Sequence, residues 1–265
     1  MNKENEQKEN IEEEVNKETN QEQEKKEDIR NLKVDFGSYE VKKLYELFRF
    51  LSKLDDDVKI TIENGIAKIK LMDKAMVSYT EFEFEGFVSC NKEKAEIFIP
   101  AESIFRILSK LYKNQYIDFK IENGKVILEN DKVRFEVNLV EGVEDNNDFE
   151  IEELEKQLDS EIEVYLDDLL KVIRFAQAIG SDDIKLVVNS EGKIVSEGDM
   201  AKVEYKELID YSGEGEAKYP SSYLEILPKV DKLIKIRFGT EKPLLLELET
   251  EVGKLKYALA PRVSE

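Results

Sequence analysis

The chain has 265 residues, with 60 Asp and Glu against 40 Lys and Arg, a net charge of −20, one cysteine and no histidine. The absence of histidine removes the commonest general base near neutral pH and the commonest transition-metal ligand, and a lone cysteine excludes a zinc cluster and an internal disulfide. At 41% hydrophobic residues the chain can build cores for two domains, and it holds no apolar run of membrane-spanning length.

Residues 1–30 are almost devoid of apolar side chains and read as a disordered acidic tail, a solubilising extension that cannot offset its chain entropy by burial. The first domain is expected over 31–140. Leu32, Val34 and Phe36 alternate as a strand, and Ser38 can cap a helix running to Lys53. Val41, Leu44, Tyr45, Phe48 and Leu51 form the core stripe of that helix, while Lys42, Lys43, Arg49 and Lys53 point elsewhere. Strands follow at 58–62, 67–72 and 76–84, with Asn64-Gly65 as a hairpin turn. A second helix is expected over 99–113, burying Ile104, Ile107, Leu108 and Leu111 and lining up Arg106, Lys110 and Lys113 on another face. Strands at 117–121, 125–129 and 132–140 complete the domain, with a second turn at Asn123-Gly124.

Residues 141–160 are strongly acidic and read as an exposed interdomain connector. Phe149, Ile151 and Leu154 stand out there as apolar. They either anchor the connector locally against the domain surface or form the wall of a partner groove. The second domain, 161–265, opens with a helix over 166–179 carrying Lys171 and Arg174, with Asp167 and Asp168 at its positive end. A last helix over 221–232 carries Lys229 and Lys232, and Pro228 should kink it or end it early.

The order of elements repeats. Residues 45–79 match 171–205 in their Arg-Phe pairs, acidic turns, strands and hairpin turns, and 99–139 match 217–259. The unit is strand–helix–three strands, roughly 50 residues long, a period at which internal repetition decides the fold. Two units make a domain and two domains make the chain, an α+β architecture with helices covering one face of antiparallel sheets.

No Gly-rich phosphate loop, GxSxG elbow or HExxH stretch occurs, and the carboxylates are scattered with no convergent pair. A protein without catalysis, cofactor or metal is expected, with Cys90 buried or inert and no signal-peptide pattern, in the cytoplasm or nucleoid. The net charge argues against nucleic acid on average. The average conceals a distribution, because positive charge gathers on the four helices.

Several short motifs carry a resemblance: Leu71-Met72-Asp73 followed by Met76-Val77, then Phe238-Gly239, Lys242-Pro243 before a strand, and Leu259-Ala260-Pro261-Arg262. Their order and spacing, over residues 32–265, resemble the archaeal and eukaryotic DNA sliding clamps of the proliferating cell nuclear antigen family. The resemblance implies a two-domain subunit, three of which close head to tail into a ring around double-stranded DNA, helices lining the hole and sheets outside. Lys42, Lys43, Arg49, Arg106, Lys171, Arg174 and Lys229 match the family's channel positions, and helical spacing adds Lys53, Lys110, Lys113 and Lys232. Such residues would touch phosphates without reading bases.

The same resemblance places the subunit edges at 132–139 and 201–209, with Val133, Phe135, Val137 and Leu139 facing Val203, Tyr205 and Leu208 of a neighbour. It also implies a docking pocket for short peptide motifs of DNA polymerase, flap endonuclease, DNA ligase and the clamp loader. Met72, Met76, Val77, Pro243, Ala258, Leu259, Ala260 and Pro261 match that pocket, with Phe149 and Ile151 contributed by the connector. Ala258 stands where many relatives carry an aromatic, and the connector is unusually acidic. The implied function is that of a DNA polymerase processivity factor. The alternative is a diverged clamp-like subunit acting mainly as a protein-binding scaffold, within a heterotrimer.

Overall fold

The computed structural model describes residues 29–141 and 149–262. The expected acidic tail lies outside them except for Ile29 and Arg30, as do connector residues 142–148. The N-terminal half runs β1 (Lys33–Glu40), α1 (Val41–Leu54), β2 (Asp57–Glu63), β3 (Ile66–Met72), β4 (Ser78–Phe84), β5 (Ser89–Cys90), β6 (Lys94–Pro100), α2 (Ala101–Leu108), β7 (Tyr116–Glu122), β8 (Lys125–Glu129) and β9 (Arg134–Asn138). A short α3 (Ile151–Glu155) precedes β10 (Ser160–Tyr165), α4 (Leu166–Ala178), β11 (Asp183–Val188), β12 (Gly192–Glu197), β13 (Lys202–Tyr205) and β14 (Asp210–Ser212). The chain closes with β15 (Gly215–Pro220), α5 (Ser221–Glu225), β16 (Leu233–Phe238), β17 (Leu244–Glu249) and β18 (Gly253–Leu259). The α+β architecture expected from the repeats is the one adopted.

Each unit contributes a three-stranded meander, and the strand that opens it crosses to the other meander of its half. Thus β1 pairs with β7 and β6 with β2, while β10 pairs with β16 and β15 with β11. Neither unit of a half can fold away from its sister without breaking a ladder. The two halves are joined in turn by β4 and β18, antiparallel from Ser78↔Leu259 to Phe84↔Gly253. That seam makes one sheet of nine strands, in the order β14-β10-β16-β17-β18-β4-β3-β2-β6, flanked by sheets β5-β1-β7-β8-β9 and β13-β12-β11-β15.

The strands alternate buried and exposed residues, as in β2, β7 and β10, so one face of each sheet meets the helices. The other face carries cross-strand ion pairs such as Lys59–Glu96 at 2.8 Å, Lys70–Glu81 at 3.0 Å and Lys235–Glu161 at 2.9 Å. One continuous apolar core runs through both halves beneath the helices. Phe50 of α1 meets Tyr257 of β18 edge-on within it, centroids 5.7 Å apart. The expected hairpin turns form, with positive φ at both Asn64 and Gly65 and at both Asn123 and Gly124.

Several boundaries differ from expectation. Ser38 caps nothing, because β1 stays paired with β7 as far as Glu40↔Tyr116. The first amides of α1 are satisfied instead by the carbonyls of Gln115 and Lys113, at 2.8 and 3.1 Å from Val41 N and Lys42 N. Those contacts draw residues 109–115 back across α1, so α2 stops at Leu108 and Lys110 and Lys113 lie beyond it. Ile99 and Pro100 belong to β6, which pairs with β2 to its last residue. The last helix stops at Glu225, before the buried Pro228, leaving Lys229 and Lys232 on the segment that follows. Met76 takes a left-handed φ of 57°, so β4 starts only at Ser78.

Because Phe50 lies at the junction of both halves, Phe50→Ala should cost about 3–5 kcal/mol in a single shifted urea transition. A loss below about 1 kcal/mol would mean that the halves do not share that core.

Candidate nucleic-acid interface and peptide-docking surface

The basic residues fall into three situations. Lys42 and Lys43 of α1 meet Lys229 and Lys232 of the C-terminal half around one cleft of about 220 Å³, where Glu46 and Glu251 also point. Lys53, Arg106, Lys110, Lys171 and Arg174 are exposed on or beside α1, α2 and α4. Arg106 is paired with Glu102 at 2.6 Å and Lys171 with Asp168 at 2.7 Å, both on the same helix and both still open to water. Pairs of this kind hold a side chain upright at little energetic cost to release.

Arg49 and Lys113 form the third group, and the structure corrects the expectation for both. Arg49 donates from Nη2 to the carbonyl of Leu227 at 2.6 Å and from Nε to Glu46 at 3.0 Å. Glu46 in turn accepts the amide of Lys229 at 3.1 Å. The guanidinium therefore ties α1 to the segment after α5. Lys113 folds back over the Tyr45 ring, 3.0 Å from its centroid, and donates to the Leu108 carbonyl at 3.2 Å. Burial pulls its pKa below the ordinary lysine value.

The expected pocket residues gather on the opposite face of the central seam. Phe149, Ile151 and Leu154 do anchor the connector locally: Ile151 and Leu154 form a small cluster with Tyr79, Leu245 and Ala258, bordered by Met72, Phe149 and Leu158. Phe149 lies against the Tyr79 ring at 4.7 Å. Ile151, Ala258 and Leu259 are buried, Leu259 in the main core, so none of the three is available to a partner; this corrects their assignment as contact residues. Met76 is 74% exposed, and Met72, Val77, Phe149, Pro243, Ala260 and Pro261 are half-buried. Together they leave an uncharged rim around the filled cluster. Met suits such a surface because its thioether adapts to differently shaped ligands.

Asp73, which the sequence reading passed over as a site residue, shapes this rim. Its buried carboxylate accepts the amides of Ala75, Val77 and Ser78, the Ser78 hydroxyl at 3.2 Å and the Tyr223 hydroxyl at 3.1 Å. Those bonds wrap the loop that presents Met76, and Tyr223 ties it to α5 in the other half. Burial, and then the bond to Asp73, raises the Tyr223 pKa above the usual tyrosine value. Arg237 and Lys256 fix α3 by clasping Glu155, whose carboxyl is held below the usual range first by the hydrogen bond from Arg237. Lys242 donates to the Gln157 carbonyl at 2.6 Å and closes the segment.

The expected subunit edges are both the last strands of their sheets. β9 spans Arg134–Asn138, with Phe135 and Val137 half-buried on it and Val133 and Leu139 just beyond its ends. β13 spans Lys202–Tyr205, with Val203 and Tyr205 half-buried. Leu208 corrects the expectation: it lies past the strand and turns toward Gly192, where a Cβ would come 2.9 Å from its Cδ1. Tyr205 donates to Asp168 at 3.1 Å, which ties the edge to α4. Cys90 is half-buried. Among the described residues no group of acids, cysteines or histidines is placed to hold a metal ion.

A carboxyl whose folded pKa is depressed stabilises the fold above its unfolded value of about 4.3 and loses that contribution as pH falls through the folded value. Glu155→Gln should therefore speed amide exchange across residues 151–157 relative to wild type at pH 7, and the difference should shrink only below the ordinary glutamate range, as pH falls through the depressed folded pKa. Equal protection at pH 7 would mean that Glu155 does not hold α3.

No family model matches the chain, and no curated protein sequence matches it. Solved structures do. The A. fulgidus PCNA bound to the C-terminal region of FEN-1 superposes with a TM-score of 0.73 at 21% identity, over 88% of this chain and 99% of that one. PCNA from Thermococcus kodakaraensis gives 0.73 at 17% identity, over 88% and 100%. The PCNA2-PCNA3 complex from Sulfolobus tokodaii gives 0.69 at 17%, over 87% and 99%. Superpositions at these scores over nearly the whole of each chain show the fold: the chain has the fold of the PCNA sliding clamps.

Proposed function

We propose that the chain is the subunit of a sliding clamp, three copies of which close around duplex DNA and hold a polymerase on it. The pseudo-symmetry of the sheet edges carries this reading. The four units end in β4, β9, β13 and β18. Two of these, β4 and β18, pair with each other, and β9 and β13 are left as equivalent edges without a partner strand among the described residues. Pairing β9 of one copy with β13 of the next repeats the internal seam between molecules. Such a head-to-tail contact closes into a ring when its rotation divides a full turn, and closure removes the open edges.

With the ring closed, the helices face inward and their lysines and arginines meet phosphates on any sequence. The contacts are few and salt-sensitive, which lets the ring slide while its topology prevents escape. The net charge of −20 leaves the outside repulsive to DNA and the bore the favoured path. The rim of Met72, Met76, Val77, Phe149, Pro243, Ala260 and Pro261 takes short peptide motifs of DNA polymerase, flap endonuclease, DNA ligase and clamp loader, consistent with the FEN-1 segment bound to the A. fulgidus protein. The subunit performs no chemistry of its own, and a separate ATP-driven loader opens the ring.

The likeness to the PCNA2-PCNA3 complex supports one other reading, a scaffold subunit within a heterotrimer. Light scattering separates the two: a particle of three chain masses supports the homotrimer, a lone chain at micromolar concentration the heterotrimer. Converting Arg106, Lys171 and Arg174 to Glu should leave the melting temperature within a few degrees and cut clamp-dependent polymerase stimulation by at least tenfold. Unchanged stimulation would contradict a DNA-facing role for these helices.

A further inference from the structure

Glu251 is an acid in the middle of the basic cleft. It sits in the turn between β17 and β18 and reaches across to the other half, where its carboxylate accepts a hydrogen bond from Lys43 Nζ. The turn that carries it is stiff. Thr250 Oγ1 accepts the amides of Val252 and Gly253 at 3.2 and 3.0 Å, and Val252 is buried and accepts the Glu85 amide at 2.8 Å. Lys43, then Lys232 and Lys42, hold the Glu251 carboxyl below its ordinary pKa, so it stays charged.

An ion pair at this position does little for stability, because the Glu251 side chain is 65% exposed and such pairs are screened by water and salt. Its placement has a different consequence. A carboxylate offers a lysine the same thing as a phosphate: a compact anion with oxygens that accept N–H bonds. Lys43 cannot give its full charge to DNA while Glu251 holds it, and Glu40, at 3.6 Å on the residue just before α1, adds a second anion.

We propose that Glu251 is a built-in phosphate competitor: it occupies Lys43 in the DNA-free protein, and duplex must displace it to engage the cleft. The inference rests on the clamp reading and extends it. It assigns to one acidic turn the task of keeping DNA contacts weak enough for sliding. Each ring would carry one such competitor per subunit, each at the junction of the two halves.

The test is fluorescence anisotropy of a labelled blunt 30-base-pair duplex, titrated with full-length protein between 50 and 200 mM salt. One freed lysine adds about one phosphate contact, so Glu251→Gln should bind tighter and steepen the log–log salt slope by about 0.9, which makes its gain over wild type about threefold larger at 50 mM than at 200 mM salt. Lys42→Gln and Lys229→Gln should weaken binding. The double variant Lys43→Gln/Glu251→Gln should lose the gain, since the proposal acts through Lys43 and not through net charge. If the two single lysine variants weaken binding while Glu251→Gln changes neither affinity nor slope, the competitor is overturned and the clamp reading stands. A gain that persists in the double variant also overturns it. If neither lysine variant alters binding, the cleft is not on the DNA path and both inferences fall.

Discussion

The antiparallel pairing of β4 with β18 is the constraint on which the rest of the molecule depends. It turns two sheets of separate origin in the sequence into one, fixes the halves at a single angle, and consumes two of the four equivalent strand edges. The backbone at the seam is close: a Cβ on Gly253 would come within 2.0 Å of the Glu83 carbonyl. Strands β17 and β18 are buried on both faces there, by the main core on one side and α3 on the other, which is why their usual alternation fails. The two remaining edges, β9 and β13, are the outer strands of the two flanking sheets, one in each half. In the proposed ring, the rotation between neighbouring copies would follow from their mutual orientation, which this intramolecular ladder helps to set.

Open edges elsewhere are protected. Phe98 of β6 is bridged by Val140, and β15 is covered where Arg262 N reaches the Lys218 carbonyl at 2.8 Å and Glu241 N the Glu216 carbonyl at 3.2 Å. β5 and β14 are two and three residues long. By contrast β9 and β13 carry ladders of charge, Arg134 between Glu129 and Glu136 on one and Lys202 between Glu197 and Glu204 on the other. Charged edges resist indiscriminate pairing, and alternating signs allow one chosen partner. The same economy applies to the helix-bearing face, where positive charge is present but partly neutralised by Glu102, Asp168, Glu46 and Glu251.

Much of the fold was legible in the sequence because its rules are local. The Asn-Gly turns require positive φ at both residues, and alternation and helical spacing mark the strands and α1. The repeat of strand–helix–three strands is visible as sequence, while the edges of the sheets are indicated only by the family resemblance. What failed were features decided by distant partners. The apolar spacing of 99–113 suits a long helix, yet the chain ends it early so that its own carbonyls can cap α1. Ser38 looks like a cap but belongs to a ladder that does not release it. Arg49 looks like a channel residue by the family resemblance and Lys113 by helical spacing, and their charges are taken up by Leu227, Glu46 and the Tyr45 ring. Glu251 and Lys43 lie 208 positions apart, and no pattern within either segment announces that they meet. For the proposed docking surface, the motif residues do come together around one small cluster, and burial alone sets Leu259, Ile151 and Ala258 apart from the rim.

The central claim is that β9 of one copy pairs with β13 of another, and site-directed cross-linking tests it most directly. In a Cys90→Ser background, Glu136→Cys on β9 and Glu204→Cys on β13 would be treated with a short bis-maleimide at micromolar protein. The account predicts covalent dimers and trimers when both cysteines share a chain, and dimers alone when the two single variants are mixed. A chain that remains monomeric on denaturing gels under all of these conditions would contradict it.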